Sequence, residues 1–246
     1  PRVVKALTLP IVEHLDPYFM EVMNETVDLL RYAFKTANRL TLPISGSGSA
    51  GMESAVCSII EKGDEAVVCI NGFFGERISE MVQRCGGKSI EVRAEWGKIV
   101  EKDLVEKALA DSNAKAVFIV HAETSTGILQ PLKEISKITH EYDALLIVDA
   151  VTSLGGCELN VDDWGIDICF SASQKCLSCP PGLAPITANE KAMNAINNRK
   201  SKVQSWYLDL STIQTYWSEN NRVYHHTAPI LLIYALREGL RILYEE

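Results

Sequence analysis

From about residue 16 to 35, apolar residues recur at helical spacing: Phe19, Met20, Val22, Met23, Val27, Leu29, Leu30 and Ala33. That pattern predicts an amphipathic helix with one face turned to a core. The character then changes. Residues 116–120 and 144–148 are continuously apolar, as expected of parallel strands buried on both faces. Residues 40–44, 66–70, 88–92 and 166–170 read as further strands. Helical periodicities fall between strands at 52–60, 76–84, 102–110 and 131–140, and a terminal helix is expected at about 228–246. Strand and helix alternate, which predicts an α/β fold: a mostly parallel sheet with helices on both faces, built from right-handed βαβ crossovers. No repeat, low-complexity tract or linker interrupts residues 1–246, so one large domain is expected. Pro1 is not an initiator methionine, and Glu246 falls inside a helical pattern without a stop signal. A longer protein is therefore expected.

In such sheets ligands bind beyond the carboxyl ends of the strands. Loops 47–51, 71–75, 121–127, 149–152 and 171–175 all follow predicted strands, so they are expected to meet at one edge. The reactive residues concentrate there. Lys175 follows an apolar strand and precedes the turn-rich Pro180-Pro-Gly182. A lysine in a cramped, partly dry site has its ammonium form disfavoured, and the free amine is the form that makes Schiff bases with carbonyls. Taken alone, it reads first as a solvated loop lysine; the rest of the chain changes that balance.

Gly46-x-Gly48-x-x-Gly51 follows a strand and opens a helix. Small residues there let backbone N–H groups approach an anion at a helix N-terminus. A phosphate site is expected, with a tight packing turn as the plainer reading. A dinucleotide site would want an acid after the next strand, where Asn71 and Gly72 stand instead. Asp149 ends the apolar run Leu145-Leu-Ile-Val-Asp149. A carboxylate there is costly unless it meets a cation or donors. It reads as a helix cap, a metal ligand, or the partner of a protonated pyridine nitrogen. Lysine, aspartate and phosphate loop together describe a pyridoxal phosphate site.

Composition narrows the setting. The formal net charge is −8, which argues against a nucleic-acid surface. Seven cysteines without paired spacing fit reduced thiols in a cytoplasmic protein better than a disulfide framework. Cys176 and Cys179 lack a second ligand pair for zinc. No metal is expected. No apolar run is long enough for a bilayer, and no membrane association is expected.

The chain resembles the class V aminotransferases of fold-type I, most closely the alanine–glyoxylate and serine–pyruvate group. The resemblance rests on Ser45-Gly-Ser-Gly-Ser49, Asn71-Gly-Phe-Phe-Gly75, His121-Ala-Glu-Thr-Ser-Thr-Gly-Ile-Leu-Gln-Pro131, Val148-Asp-Ala-Val-Thr-Ser-Leu-Gly-Gly156, Ser171-Ala-Ser-Gln-Lys175, Pro180-Pro-Gly182 and Tyr224-His-His-Thr227. It implies the large pyridoxal-phosphate domain of such an enzyme, with a small C-terminal domain, carrying the substrate-binding arginine, absent from this chain. By position it implies Lys175 as the Schiff-base lysine and proton shuttle, Asp149 on the pyridinium nitrogen and Val151 beneath the ring. Phe74 would stack on the ring, where the group commonly has tryptophan. Thr124 would approach the phenolic oxygen. Ser47, Gly48 and Ser49, with Gln174, would hold the phosphate; position 49 is often histidine in this group, so the cradle is smaller here. Tyr224 and Thr227 would reach the phosphate of a neighbouring subunit, implying a homodimer with shared sites. The implied activity moves an amino group from alanine or serine to a 2-oxo acid such as glyoxylate or pyruvate. Aspartate or ureidoglycine as donor stays open. A sulfur-transferring lyase is disfavoured by Gln174, where such enzymes commonly carry histidine. A nucleotide-binding oxidoreductase and a non-catalytic cofactor-binding subunit are the readings from other classes.

Overall fold

The continuous apolar runs become the middle of a sheet, as their burial on both faces requires. The computed structural model describes residues 1–218 and 222–246. Its strands are β1 (Leu40–Ser45), β2 (Glu65–Ile70), β3 (Lys88–Arg93), β4 (Ala114–Val120), the two-residue pair β5 (Ala122–Glu123) and β6 (Ile128–Leu129), β7 (Leu145–Asp149), β8 (Ile168–Phe170) and β9 (Leu183–Ala188). The helices are α1 (Arg2–Ala6), α2 (Pro17–Phe34), α3 (Gly48–Ile59), α4 (Phe73–Arg84), α5 (Lys102–Ala110), α6 (Lys133–Glu141), α7 (Glu190–Asn197), α8 (Leu210–Trp217) and α9 (Ile230–Glu245). The described residues form one seven-stranded sheet in the order β1-β9-β8-β7-β4-β2-β3, with β5 and β6 as a separate hairpin. Every residue of β7 and β9 is buried. Successive strand residues point to opposite faces, so both faces of the sheet are covered.

β9 runs antiparallel to both of its neighbours, β1 and β8, while β8, β7, β4, β2 and β3 are mutually parallel. Two reversals restore direction. β1 therefore points the same way as the parallel set, and all five candidate loops leave the sheet at one edge.

The sequence reading places no element at β9, and Pro185 explains why: a proline demotes a strand. The structure tolerates it through register. Pro185 stands opposite Pro43 of β1, and its carbonyl accepts the Ser171 N–H at 2.7 Å on the β8 side. N and C=O of a strand residue point the same way, so neither proline is asked for a bond across the β1–β9 pair. Helices α1, α7 and α8 were likewise not anticipated. α7 and α8 start at side-chain caps, Asn189 accepting from Ala192 N and Asp209 from Ser211 N.

α3 starts at Gly48 rather than residue 52, and α4 at Phe73 rather than 76. β8 is confined to Ile168–Phe170 rather than 166–170. At the N-terminal side, Asp16 caps α2 by accepting the Tyr18 N–H at 2.8 Å, and Pro17 needs no partner in the first turn. α9 lies against α2, where Glu25 takes Arg241 at 2.5 Å.

Candidate active site

The first turn of α3 follows β1 directly, and its sequence is small by necessity. A Cβ added to Gly48 would stand 2.9 Å from Ala172 Cβ and 3.2 Å from Val151 Cγ2. Gly48 thus lets α3 press against the loops after β7 and β8 at once. Ser47 stands at the N-cap with no side-chain bond to the turn. A helix N-terminus without a side-chain cap leaves donors and partial positive charge directed outward.

Asp149 is 2% exposed at the end of β7. Its Oδ1 accepts the Val151 N–H at 2.8 Å, and its Oδ2 has no partner among the described residues. Burial pushes this carboxyl up to about 7; the Glu123 charge adds to the rise, while the Val151 N–H, Arg77 and Lys175 oppose it. Lys175 is half-buried on the loop after β8. That loop is braced on itself: Ser173 Oγ donates to Pro180 O at 2.6 Å, Cys179 N to Ser173 O at 3.0 Å and Ser178 N to Lys175 O at 2.9 Å. The Lys175 ammonium makes no hydrogen bond among the described residues. The adjacent Gln174 has a buried, unpartnered Oε1.

The third wall comes from α4 and the loop after β4. Glu123, 1% exposed, caps α4 from another element: its Oε2 accepts Phe74 N at 3.1 Å and its Oε1 accepts Ser125 N and Ser125 Oγ. Ser125 Oγ in turn accepts Phe73 N at 2.9 Å. Gly72 makes the approach possible, since a Cβ there would lie 2.3 Å from Glu123 Cγ. Phe74 is half-buried beside this cap and Thr124 is exposed on the loop. Arg77, one turn along α4, lies 5.1 Å from the Phe74 ring centroid, and its Nη1 donates to Ser49 Oγ at 3.3 Å. Thr152 Oγ1 donates to Ala122 O at 2.5 Å. The five loops are thus tied to one another, as the sheet rule required.

Glu123 and Arg77 were not singled out from sequence. With α4 started at 76, Arg77 is a first-turn surface residue. With α4 started at 73, it falls three and four positions beyond two phenylalanines, the spacing at which helical side chains touch.

His121 turns inward from the same loop. Burial lowers it to about 4, and its Nδ1 sits 2.9 Å from Ser153 Oγ, so it is a neutral packing residue. Tyr224 and Thr227 are exposed and bond each other at 3.2 Å. Among the described residues, no bond joins either to Lys175, Asp149 or α3 within this chain. Their neighbours do reach the site's rim. His226 Nε2 lies 2.6 Å from Ser45 Oγ, and its Nδ1 lies 2.7 Å from His225 Nδ1. His225 is buried and stacks on Trp206 at 4.3 Å.

The site's requirements are specific. The unpaired Asp149 Oδ2 asks for a cationic N–H donor, and the α3 N-terminus asks for an anion. A flat ring with a basic nitrogen and a phosphate tail meets both. A cavity of about 750 Å³ at the opposite edge, lined by Leu40, Ala188, Asn189 and Trp217 among others, contains neither lysine nor buried unpaired carboxylate.

Comparison with known proteins points the same way. The family model described as aminotransferase class-V matches residues 5–246. The (S)-ureidoglycine–glyoxylate transaminase of Bacillus subtilis is 40% identical over 264 residues, covering 100% of this chain and 63% of that protein. The alanine–glyoxylate aminotransferase of Rattus norvegicus is 38% identical over 248 residues, covering 100% of this chain and 60% of that protein. The crystal structure of alanine–glyoxylate aminotransferase from Nostoc sp. superposes with a TM-score of 0.98 at 41% identity, covering 100% of this chain and 65% of that one. The chain therefore spans about six tenths of the length of the relatives it matches.

Proposed function

The chain belongs to the class V aminotransferases, and we propose that it is the large domain of a pyridoxal-phosphate-dependent transaminase. The observation that carries this is the unpaired Oδ2 of a carboxylate 2% exposed, at the sheet edge where Lys175 also stands. When bound, pyridoxal phosphate supplies a carbonyl that takes up an amino group and a ring that accepts electrons from the substrate's α-carbon.

Each residue has a task in that reading. Lys175 Nζ would hold the cofactor's carbonyl end and, once freed by the amino donor, would be the base that carries the proton from the donor's α-carbon. Asp149 Oδ2 would accept from the protonated ring nitrogen, and that cation would favour the ionised carboxylate against the rise that burial imposes. Val151 and Phe74 take the two faces of the ring; Phe74 offers stacking area without a donor. Thr124 offers a hydroxyl to the phenolic oxygen. Ser47, Gly48 and Ser49, with the amide of Gln174, hold the phosphate at the α3 N-terminus. Tyr224 and Thr227, exposed and unengaged by the site of their own chain, serve the phosphate of a second copy, making the working unit a homodimer.

The substrates in this reading are a small amino acid, alanine or serine, and a 2-oxo acid such as glyoxylate or pyruvate. The names of the relatives, one with ureidoglycine and one with alanine as donor, keep ureidoglycine in contention. All seven cysteines are free thiols, which supports a reducing, cytoplasmic setting. No helix among the described residues is long and apolar enough to cross a membrane.

The test is a donor-by-acceptor activity screen on the full-length protein, read alongside its visible absorbance. Bleaching of the band by one amino donor, with product formed from one 2-oxo acid, is expected. A band that no amino donor bleaches would leave a cofactor-binding protein without transaminase activity.

A further inference from the structure

Arg77 is a cation with no carboxylate in bonding contact, although its charge is felt at Asp149. Among the described residues it makes no ion pair, and its one hydrogen bond goes to a neutral group, Ser49 Oγ, at 3.3 Å. Arg93, on the neighbouring strand β3, shows the contrast: it is engaged by both Glu76 and Glu91. Nor is Arg77 free to wander into solvent. It is half-buried, and its guanidinium carbon lies 5.4 Å from the Phe73 centroid and 5.1 Å from that of Phe74. Both rings lie close to the guanidinium, and its Nη1 reaches Ser49 Oγ in the first turn of α3. A half-buried cation beside a helix N-terminus adds to the positive end of the helix dipole.

The charge to be met there is large. A phosphate monoester carries about −1.5 to −2 at neutral pH, and a helix N-terminus offers about +0.5. Ser47, Ser49 and Gln174 are neutral. Lys175 is committed to the carbonyl end of the cofactor. About one unit of positive charge is missing from the residues assigned so far.

We propose that Arg77 supplies it, as the cationic partner of the phosphate held at the α3 N-terminus, reaching it by the guanidinium edge that now rests on Ser49. This rests on the pyridoxal-phosphate reading and adds a binding residue to it. The plainer role for Arg77 is to offset the charge of Asp149, which would make it indifferent to the phosphate.

Pyridoxamine 5′-phosphate and pyridoxamine separate the two, because neither bonds covalently to Lys175 and they differ only in the phosphate. Calorimetric titration of each into the full-length protein freed of cofactor is the measurement. For Arg77→Gln the phosphorylated ligand should bind about 10- to 100-fold more weakly, the scale of one charge-assisted hydrogen bond. Pyridoxamine should bind as it does to the unaltered protein, and Arg77→Lys should fall between. Equal loss for both ligands, or no loss for the phosphorylated one, overturns the assignment and leaves the cofactor reading standing. Failure of the unaltered protein to bind either ligand overturns both. Should Arg77→Gln not fold, phenylglyoxal labelling of the unaltered protein decides. Labelling of Arg77, located by mass spectrometry, should be suppressed by pyridoxamine 5′-phosphate and not by pyridoxamine; labelling equal under both overturns the assignment.

Discussion

Glu123, in the hairpin that follows β4, and Asp149, at the end of the adjacent β7, are buried carboxylates with opposite hydrogen bonding. Glu123 accepts from Phe74 N, Ser125 N and Ser125 Oγ, whereas Asp149 Oδ2 accepts from nothing among the described residues. A buried polar group that goes unpaired costs about 1–3 kcal/mol, and more when charged. One carboxylate is fully engaged, then, and the other keeps an oxygen without a partner among the described residues.

Removing the fully engaged one should loosen α4. Glu123→Ala strands the Phe74 and Ser125 donors, so we expect a loss of about 1–3 kcal/mol, read as a lower melting temperature. Glu123→Gln keeps an acceptor and should lose less. An unchanged melting temperature for Glu123→Ala would show that water replaces the carboxylate at no cost.

Asp149 should mark the pH dependence of the cofactor-free protein. Its folded pKa is raised, from 3.8 to about 7, chiefly by burial. A raised acid favours folding most below its unfolded pKa and loses that contribution as pH rises through the folded value. Asp149→Asn cannot ionise. The stability difference between the two proteins should therefore move in the variant's favour between about pH 4 and 7 and then level off. A difference that is flat with pH would mean that Asp149 is not desolvated. With cofactor bound, the same substitution should lower turnover by orders of magnitude, because the ring nitrogen loses its anion.

The shared-site reading makes a complementation experiment decisive for Tyr224 and Thr227. A mixed dimer of Lys175→Ala chains with Tyr224→Phe, Thr227→Ala chains holds one site with both defects and one with neither. Activity above either parent is expected. No recovery, in a sample shown to exchange subunits, would mean that each site is built from a single chain.

Much of this edge was legible in the sequence, because its signals are local. Continuous apolar runs identify β4 and β7, and Asp149 and Lys175 follow from the strand ends they sit on. The first turns of α3 and α4 were not legible as helix. Gly48-Ser-Ala-Gly51 carries no apolar stripe, since it is shaped by the approach of Ala172 and Val151. The start of α4 is fixed by Glu123, some fifty residues along the chain, a contact that no local pattern announces. β9 was hidden by Pro185, whose harmlessness depends on standing opposite Pro43. Arg77 was hidden by the misplaced start of α4.

Lys175 is the residue proposed to bond the cofactor. Borohydride reduction of the full-length holoprotein, followed by proteolysis and mass spectrometry, reads this directly. The expected result is the reduced pyridoxyl group on the peptide containing Lys175, and no such adduct in Lys175→Ala. An adduct on another lysine, or none from a protein that retains bound pyridoxal phosphate, would contradict it.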